Sequence, residues 1–152
     1  RTHPQRLHTM SFAAVASSTP RTQRFAGAYQ QVGVQTVVAD ASAHRLIELL
    51  FEGYFADIAR ARGALRSGDV ATKGQAIGHA ARIVEEGLKA ALDPVGGGRL
   101  AADLADLYAY IGIRLTQANL SNDERILDEC ARLVAPLRDA WVAIGPQAAT
   151  RN

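Results

Sequence analysis

Apolar residues recur along most of this chain at intervals of three and four positions, the spacing that places side chains on one face of an α-helix. Ser42 is a favourable N-cap, and a helix is predicted from there to Gly68. Asp69 caps a second predicted helix, which Asp93-Pro94 ends. The predicted buried stripes are Leu46, Leu49, Leu50, Phe55, Ile58 and Leu65 in the first helix, and Val70, Ile77, Ala80, Ala81, Val84, Leu88 and Ala91 in the second.

Two more helices are predicted after the flexible turn at residues 96–98. The polar stretch at residues 121–123 ends the third helix and caps the fourth, and Gly145-Pro146 ends the fourth. Pro136 lies inside the fourth predicted helix, where it predicts a kink. Their stripes are Leu100, Leu104, Leu107, Tyr108, Ile111, Leu115 and Ala118, then Ile126, Leu127, Cys130, Leu133, Val134, Leu137, Trp141 and Ile144. Four helices with short connections predict an all-α fold, an antiparallel four-helix bundle.

Glycine weakens the second predicted helix at three positions, Gly74, Gly78 and Gly87. A residue without a side chain lets a neighbouring helix come close. These three positions are therefore expected to permit close approach by neighbouring helices.

The ends of the chain differ from the helical body. Residues 1–24 have too few large apolar groups for their burial to offset the entropy cost of ordering the chain. They are expected to form a disordered N-terminal arm. Residues 1–9 precede the sole methionine and are interpreted as lying upstream of the native start or as foreign to the natural protein. The expected bundle domain spans 25–146, beginning with a short amphipathic helix or cap, and 147–152 form a flexible tail.

Composition narrows the class of protein. The hydrophobic content is 48% with only 6% aromatic residues, which favours packed helices. Removing Arg1 and Arg6 from the 17 basic residues leaves a body balanced against 15 acidic ones, so no nucleic acid is expected as partner. No apolar run approaches the roughly 20 residues needed to cross a bilayer, so no membrane insertion is expected. A lone cysteine fits a reducing, cytoplasmic location.

Catalytic and metal chemistry find little support in the sequence. No glutamate has a histidine three positions later, and one cysteine with four scattered histidines makes no plausible zinc set. Cys130 falls on a predicted buried stripe, where it acts as a small hydrophobe. Glu48 and Glu52 are expected on a solvated face. We therefore expect no enzyme activity, no cofactor and no metal.

His79 supports an alternative function. In His79-Ala80-Ala81-Arg82 it stands mid-helix and resembles the exposed histidine of histidine phosphotransfer domains, which are also four-helix bundles. Those domains usually carry Lys and then Gly after the two spacer residues, where this chain has Arg82 and Ile83. A generic helical adaptor is the other alternative.

Several separated stretches resemble one family, the FliS flagellar export chaperones, from about residue 28 to residue 144. The matching stretches are residues 28–36, with Tyr29 and Val34 at motif positions, then 41–47, 49–53, 83–88, 92–93, 97–98, 107–110, 114–115, 118–123 and 140–141. Ala43 departs from the usual proline of that motif. Because these pieces occur in the family's order and spacing, the chain is identified as similar to it along nearly its whole body.

The resemblance implies a cytoplasmic chaperone. Such a protein binds the disordered C-terminal segment of flagellin, prevents premature polymerisation and delivers its client to the flagellar type III export apparatus, including an export gate component. Recognition is expected to be helix-in-groove. The free protein is expected to be a monomer or weak dimer. The residues expected to bind flagellin or form the cap are Tyr29, Val32, Val34, Ser42, His44, Leu46, Leu50, Tyr108, Leu115 and Asn119.

Overall fold

The computed structural model describes residues 42–145, and its elements in that range are helices. They are α1 (Ala43–Ser67), α2 (Val70–Arg82), a π-helix (Ile83–Lys89) that directly continues α2, α3 (Gly98–Ser121) and α4 (Glu124–Ile144). The four predicted helices are thus confirmed. The predicted N-terminal arm, the cap with Tyr29, Val32 and Val34, and the C-terminal tail lie outside the described residues.

The helix ends follow local capping chemistry. The Ser42 side chain accepts a hydrogen bond from the Arg45 backbone N–H at 3.1 Å, and Asp69 and Asp123 cap α2 and α4 in the same manner. Gly68 ends α1 in the left-handed conformation, with φ of 77°, which favours glycine. All four cap predictions are therefore confirmed.

The end of the second helix differs from the prediction. The helical run stops at Lys89, before the predicted stop at Asp93-Pro94, and its last part has π-helical hydrogen bonding that periodicity did not indicate. Gly87 lies in this π-helix. A Cβ built there would approach Cδ1 of Leu50 to 3.0 Å, so the predicted close packing is confirmed at this glycine.

Neighbouring helices run antiparallel and form a closed ring in which α4 packs back against α1. Along the α1–α4 contact the ring of His44 stacks on Trp141, the Tyr54 hydroxyl donates to the Cys130 carbonyl at 2.9 Å, and Arg66 pairs with Glu124. One end of the bundle, here the first end, therefore gathers the start of α1, the end of the π-helix, the start of α3 and the end of α4. The second end gathers the opposite termini.

The core lies along the bundle axis. Its fully buried large side chains are Leu46, Leu50, Tyr54, Ile58, Ile83, Val84, Ile111, Leu115, Leu127, Cys130 and Val134. Burial of Cys130 confirms its predicted role as a small hydrophobe. The predicted burial is wrong for three residues: Val70 is 71% exposed, Leu100 is 67% exposed and Ile144 is 44% exposed. Each of them lies in a terminal turn of its helix that no neighbouring helix covers. α4 stays continuous through the exposed Pro136, where a kink remains a prediction.

Candidate polypeptide-binding surface

One exposed stripe on the side of α3 that faces away from the core is largely apolar, and Asp103, Tyr110 and Gln117 form a polar stripe beside it. Six exposed residues spaced alternately four and three positions apart share the apolar stripe, and we name them the outer face of α3: Ala102, Asp106, Ala109, Ile113, Thr116 and Leu120. Ile113 is 58% exposed and Leu120 is 79% exposed. The buried Ile111 and Leu115 lie on the opposite side of the helix, so α3 carries two apolar faces of which the bundle buries one.

An apolar outer face is unusual on a bundle helix. Surface helices normally present charged and polar residues to water, because only one stripe is needed for the core. The outer face of α3 has a single charged member, Asp106. Contiguous exposed apolar surface of this kind marks sites of protein interaction.

A polar network borders the outer face on the side of α4. Glu129 accepts hydrogen bonds from the Tyr110 hydroxyl and from Nε of Arg114, both at 2.7 Å. These bonds, first that of Tyr110 and then that of Arg114, lower the pKa of Glu129. The carboxylate is therefore charged at neutral pH and holds the two helices together beside the apolar face.

The first end of the bundle adds a second group of exposed apolar residues. They are Val95 in the connection before α3, Leu100 in its first turn, and Val142 and Ile144 in the last turn of α4. Leu100 lies near the start of α3, the same helix that carries the outer face. Apolar surface is thus exposed both along α3 and at the bundle end where that helix begins.

His44 and Trp141 join α1 to α4 at the first end. Their ring centroids lie 4.7 Å apart at an interplanar angle of 12°, and Nε1 of Trp141 donates to the His44 carbonyl at 3.0 Å. His44 is buried and its Nδ1 has no hydrogen-bond partner among the described residues. The contact places a buried polar side chain in the first turn of α1.

The predicted flagellin-binding residues that the structure describes do not form one open surface. Leu46, Leu50, Tyr108 and Leu115 are core residues, each no more than 4% exposed. Ser42 is an exposed cap at the first end, whereas Asn119 lies at the second end. The Asn119 carbonyl accepts a hydrogen bond from Nζ of Lys73 at 2.9 Å. A client reaches the four core residues only if the helices separate.

The outer face of α3 contains accessible residues that the prediction missed. Ala102, Ala109, Ile113 and Leu120 were absent from the predicted set, although their spacing is visible in the sequence. The prediction assigned the more regular apolar stripe of the same helix, which includes Ile111 and Leu115, to the core. That assignment explained how the helix packs, so the second apolar face was overlooked. Two apolar stripes on one helix are the signal that would have found it.

A polar cleft lies between α1 and α2, at the histidine considered for phosphotransfer. His79 is about three quarters buried at its side chain, and its Nδ1 contacts Oδ2 of Asp57. Burial raises the pKa of Asp57, while the hydrogen bond with His79 and the charges of His79 and Arg60 oppose this rise. The contact gives His79 a role in joining the two helices.

The described part of the chain contains neither a group of metal-ligating side chains nor a membrane-spanning helix. Within residues 42–145, no three His, Cys, Asp or Glu side chains are grouped closely enough to hold a metal ion. Over the same residues, each helix is too short or too polar to cross a bilayer.

Comparison with known proteins places the chain in a family. The model of the family described as flagellar protein FliS matches residues 25–148. This chain belongs to the FliS family. The flagellar secretion chaperone FliS of Salmonella typhimurium is 46% identical over 121 residues, which cover 80% of this chain and 90% of that protein.

Two other FliS relatives agree with this assignment. The flagellar secretion chaperone FliSB of Pseudomonas aeruginosa is 44% identical over 116 residues, or 76% of this chain and 91% of that protein. FliS of Bacillus subtilis is 33% identical over 114 residues, or 75% of this chain and 80% of that protein. The predicted family is thereby confirmed.

Proposed function

We propose that this chain is a cytoplasmic export chaperone that binds the C-terminal segment of flagellin, prevents its premature polymerisation and delivers it to the flagellar type III export apparatus. Membership of the FliS family supports the proposal, as do the relatives named flagellar secretion chaperones. The structural observation that carries it is the exposed apolar outer face of α3, since a chaperone needs apolar surface that its own fold leaves open.

The client chemistry fits that surface. A segment that is buried between subunits in a filament is amphipathic, and before assembly it has no partner for its apolar side. Such a segment binds as a helix by placing apolar residues at three- and four-residue intervals in a groove. Ile113 and Leu120 on α3 are seven residues apart, so they present two apolar anchors two helical turns apart on one face.

The remaining contacts are part of the same proposal. Ser42 and His44 lie at the first end, which also exposes Val142 and Ile144, and we include this end in the client surface. Tyr29, Val32 and Val34 are proposed to act as a cap on it. The protein is proposed to act without catalysis, as a monomer or weak dimer when no client is bound.

Calorimetry with a synthetic flagellin C-terminal segment tests the function. We expect binding at one-to-one stoichiometry, and we expect Ile113→Asp to weaken the affinity by about tenfold or more, because a carboxylate would be buried against an apolar anchor. Ile113 is 58% exposed, so circular dichroism is expected to show an unchanged fold.

The matched control is Ala59→Asp, which adds the same charge at an exposed position of α1. Its affinity is expected to stay within about twofold of the parent protein. If both variants lost affinity equally, the outer face of α3 would not be part of the client surface. Absence of binding by the parent protein would contradict the chaperone function itself.

A further inference from the structure

The outer face of α3 has the repeat of a coiled coil. Its six members alternate by four and three positions, from Ala102 to Leu120. The average spacing of about 3.5 residues is the repeat with which two helices pack side by side over their whole length. The bundle buries none of these six residues. The pattern is therefore typical of a helix that packs against a second helix outside its own bundle.

The outer face is complementary to a reversed copy of itself. Reversing one copy about the level of Ile111 gives three facing pairs: Ala109 with Ile113, Asp106 with Thr116, and Ala102 with Leu120. Two of these pairs bring a small side chain to a large one, which fills an interface evenly. The third pair brings a carboxylate to a hydroxyl. Each pair occurs twice, as in an interface with two-fold symmetry.

Charge favours this antiparallel arrangement over a parallel one. In a parallel pair each residue would meet its own copy, so two Asp106 carboxylates would be buried side by side. In the antiparallel pair Asp106 faces the hydroxyl of Thr116, which donates to the Gly112 carbonyl at 3.2 Å in the single chain and can rotate towards a carboxylate. In the polar stripe alongside, Asp103 falls opposite the amide of Gln117. The antiparallel pair thus brings no two carboxylates of these stripes together.

Gly112 lies beside the outer face, close to the level about which the two copies are related. It stands inside α3, where glycine is less favourable than alanine. A Cβ built there meets no atom within 4 Å, so packing among the described residues does not account for a glycine. A second helix that crosses at this level would approach more closely because the side chain is missing.

We propose that two copies of this chain associate through their outer faces of α3, packed antiparallel. The face is roughly 27 Å long and about 10 Å wide, and it offers far less area than the roughly 1,600 Å² buried in stable complexes. The dimer is therefore weak and dissociates readily. It covers the surface that the client is proposed to bind. That competition rests on the proposed function, whereas self-association requires no flagellin.

Sedimentation equilibrium of the full chain without any client tests the proposal. The parent protein is expected to dimerise reversibly, and Thr116→Asp to weaken the dimer about tenfold or more, because two pairs of carboxylates would then face each other. Thr116 is exposed, so circular dichroism is expected to show an unchanged fold. The control Ala59→Asp adds the same charge at an exposed position of α1 and should change the dissociation constant by less than about twofold.

A charge exchange identifies the facing pair. The double variant Asp106→Arg/Thr116→Asp is expected to dimerise at least as tightly as the parent protein, because each copy would bring a guanidinium group to a carboxylate of the other. Positions 106 and 116 lie roughly 15 Å apart along one helix, so these charges do not pair within one copy.

Three results would overturn the proposal. The first is a parent protein that stays monomeric up to about one millimolar, which would leave the outer face to a client alone. The second is self-association that Thr116→Asp does not change, since another surface would then carry it. The third is a double variant that dimerises no more tightly than Thr116→Asp, as parallel copies would. None of these results bears on flagellin binding, because the measurement contains no flagellin.

Discussion

Cys130 illustrates how position in the core decides the chemistry of a single residue. It is fully buried on α4, and its carbonyl accepts the Tyr54 hydroxyl at 2.9 Å. Burial, followed by the charge of Glu129, raises the pKa of the thiol to about 12. A thiol that keeps its proton is a poor nucleophile and a poor metal ligand. Cys130 therefore contributes packing.

Native Cys130 is expected to react with a disulfide reagent at pH 8 about a thousandfold more slowly than in the urea-unfolded chain, because an unfolded thiol has a pKa near 8.5. Because the folded pKa is the higher one, the stability contribution of this group is complete below about pH 8.5 and declines as the pH rises above that value. Stopped-flow absorbance measures both rates. Equal rates in the two states would contradict this assignment.

The second helix shows how one residue type serves different purposes within one element. Gly87 lies against the side chain of Leu50, which is 1% exposed and held by the core. Gly74 and Gly78 face open space. The same residue thus permits packing in the π-helix and leaves a cleft open in α2.

Alanine substitutions are expected to change stability in opposite directions. Gly87→Ala should lower the free energy of unfolding by about 1–3 kcal/mol, because Leu50 has little room to move away from a new methyl group. Gly74→Ala, the matched variant, should raise it by roughly 0.5–1 kcal/mol through helix propensity. Urea titration monitored by circular dichroism gives both values. A Gly87→Ala protein as stable as the parent would show that Leu50 can yield.

At the scale of the whole molecule, the antiparallel ring couples distant termini. The α1–α4 contact runs from His44 and Trp141 at the first end to Arg66 and Glu124 at the second end. Each helix packs against two others, so none has an independent core. The bundle is therefore expected to unfold as one cooperative unit.

Trp141 is the only tryptophan, and its emission reports the first end alone. Far-UV circular dichroism reports all helices together. Because unfolding is expected to be cooperative, the two signals should share one urea midpoint. A fluorescence transition at lower urea would show instead that the first end opens separately from the remaining bundle.

Local chemistry was sufficient to place the four helices, apart from the end of the second helix. Ser42, Asp69 and Asp123 act on backbone N–H groups two or three residues away, so their capping role can be read without knowledge of the fold. The short connections then leave few arrangements other than an antiparallel bundle. The family, too, was recognisable from ordered sequence motifs alone.

The candidate surfaces depended on which helices became neighbours. The sequence contains two apolar stripes on α3, and only packing decides that Leu115 is buried and Ile113 exposed. Asp57 and His79 meet because α1 and α2 run antiparallel, which no local spacing encodes. By itself, therefore, the sequence determined the elements and their order, because capping and periodicity act within a few residues. The tertiary structure alone decided which apolar and polar residues remain accessible, because burial depends on partners far along the chain.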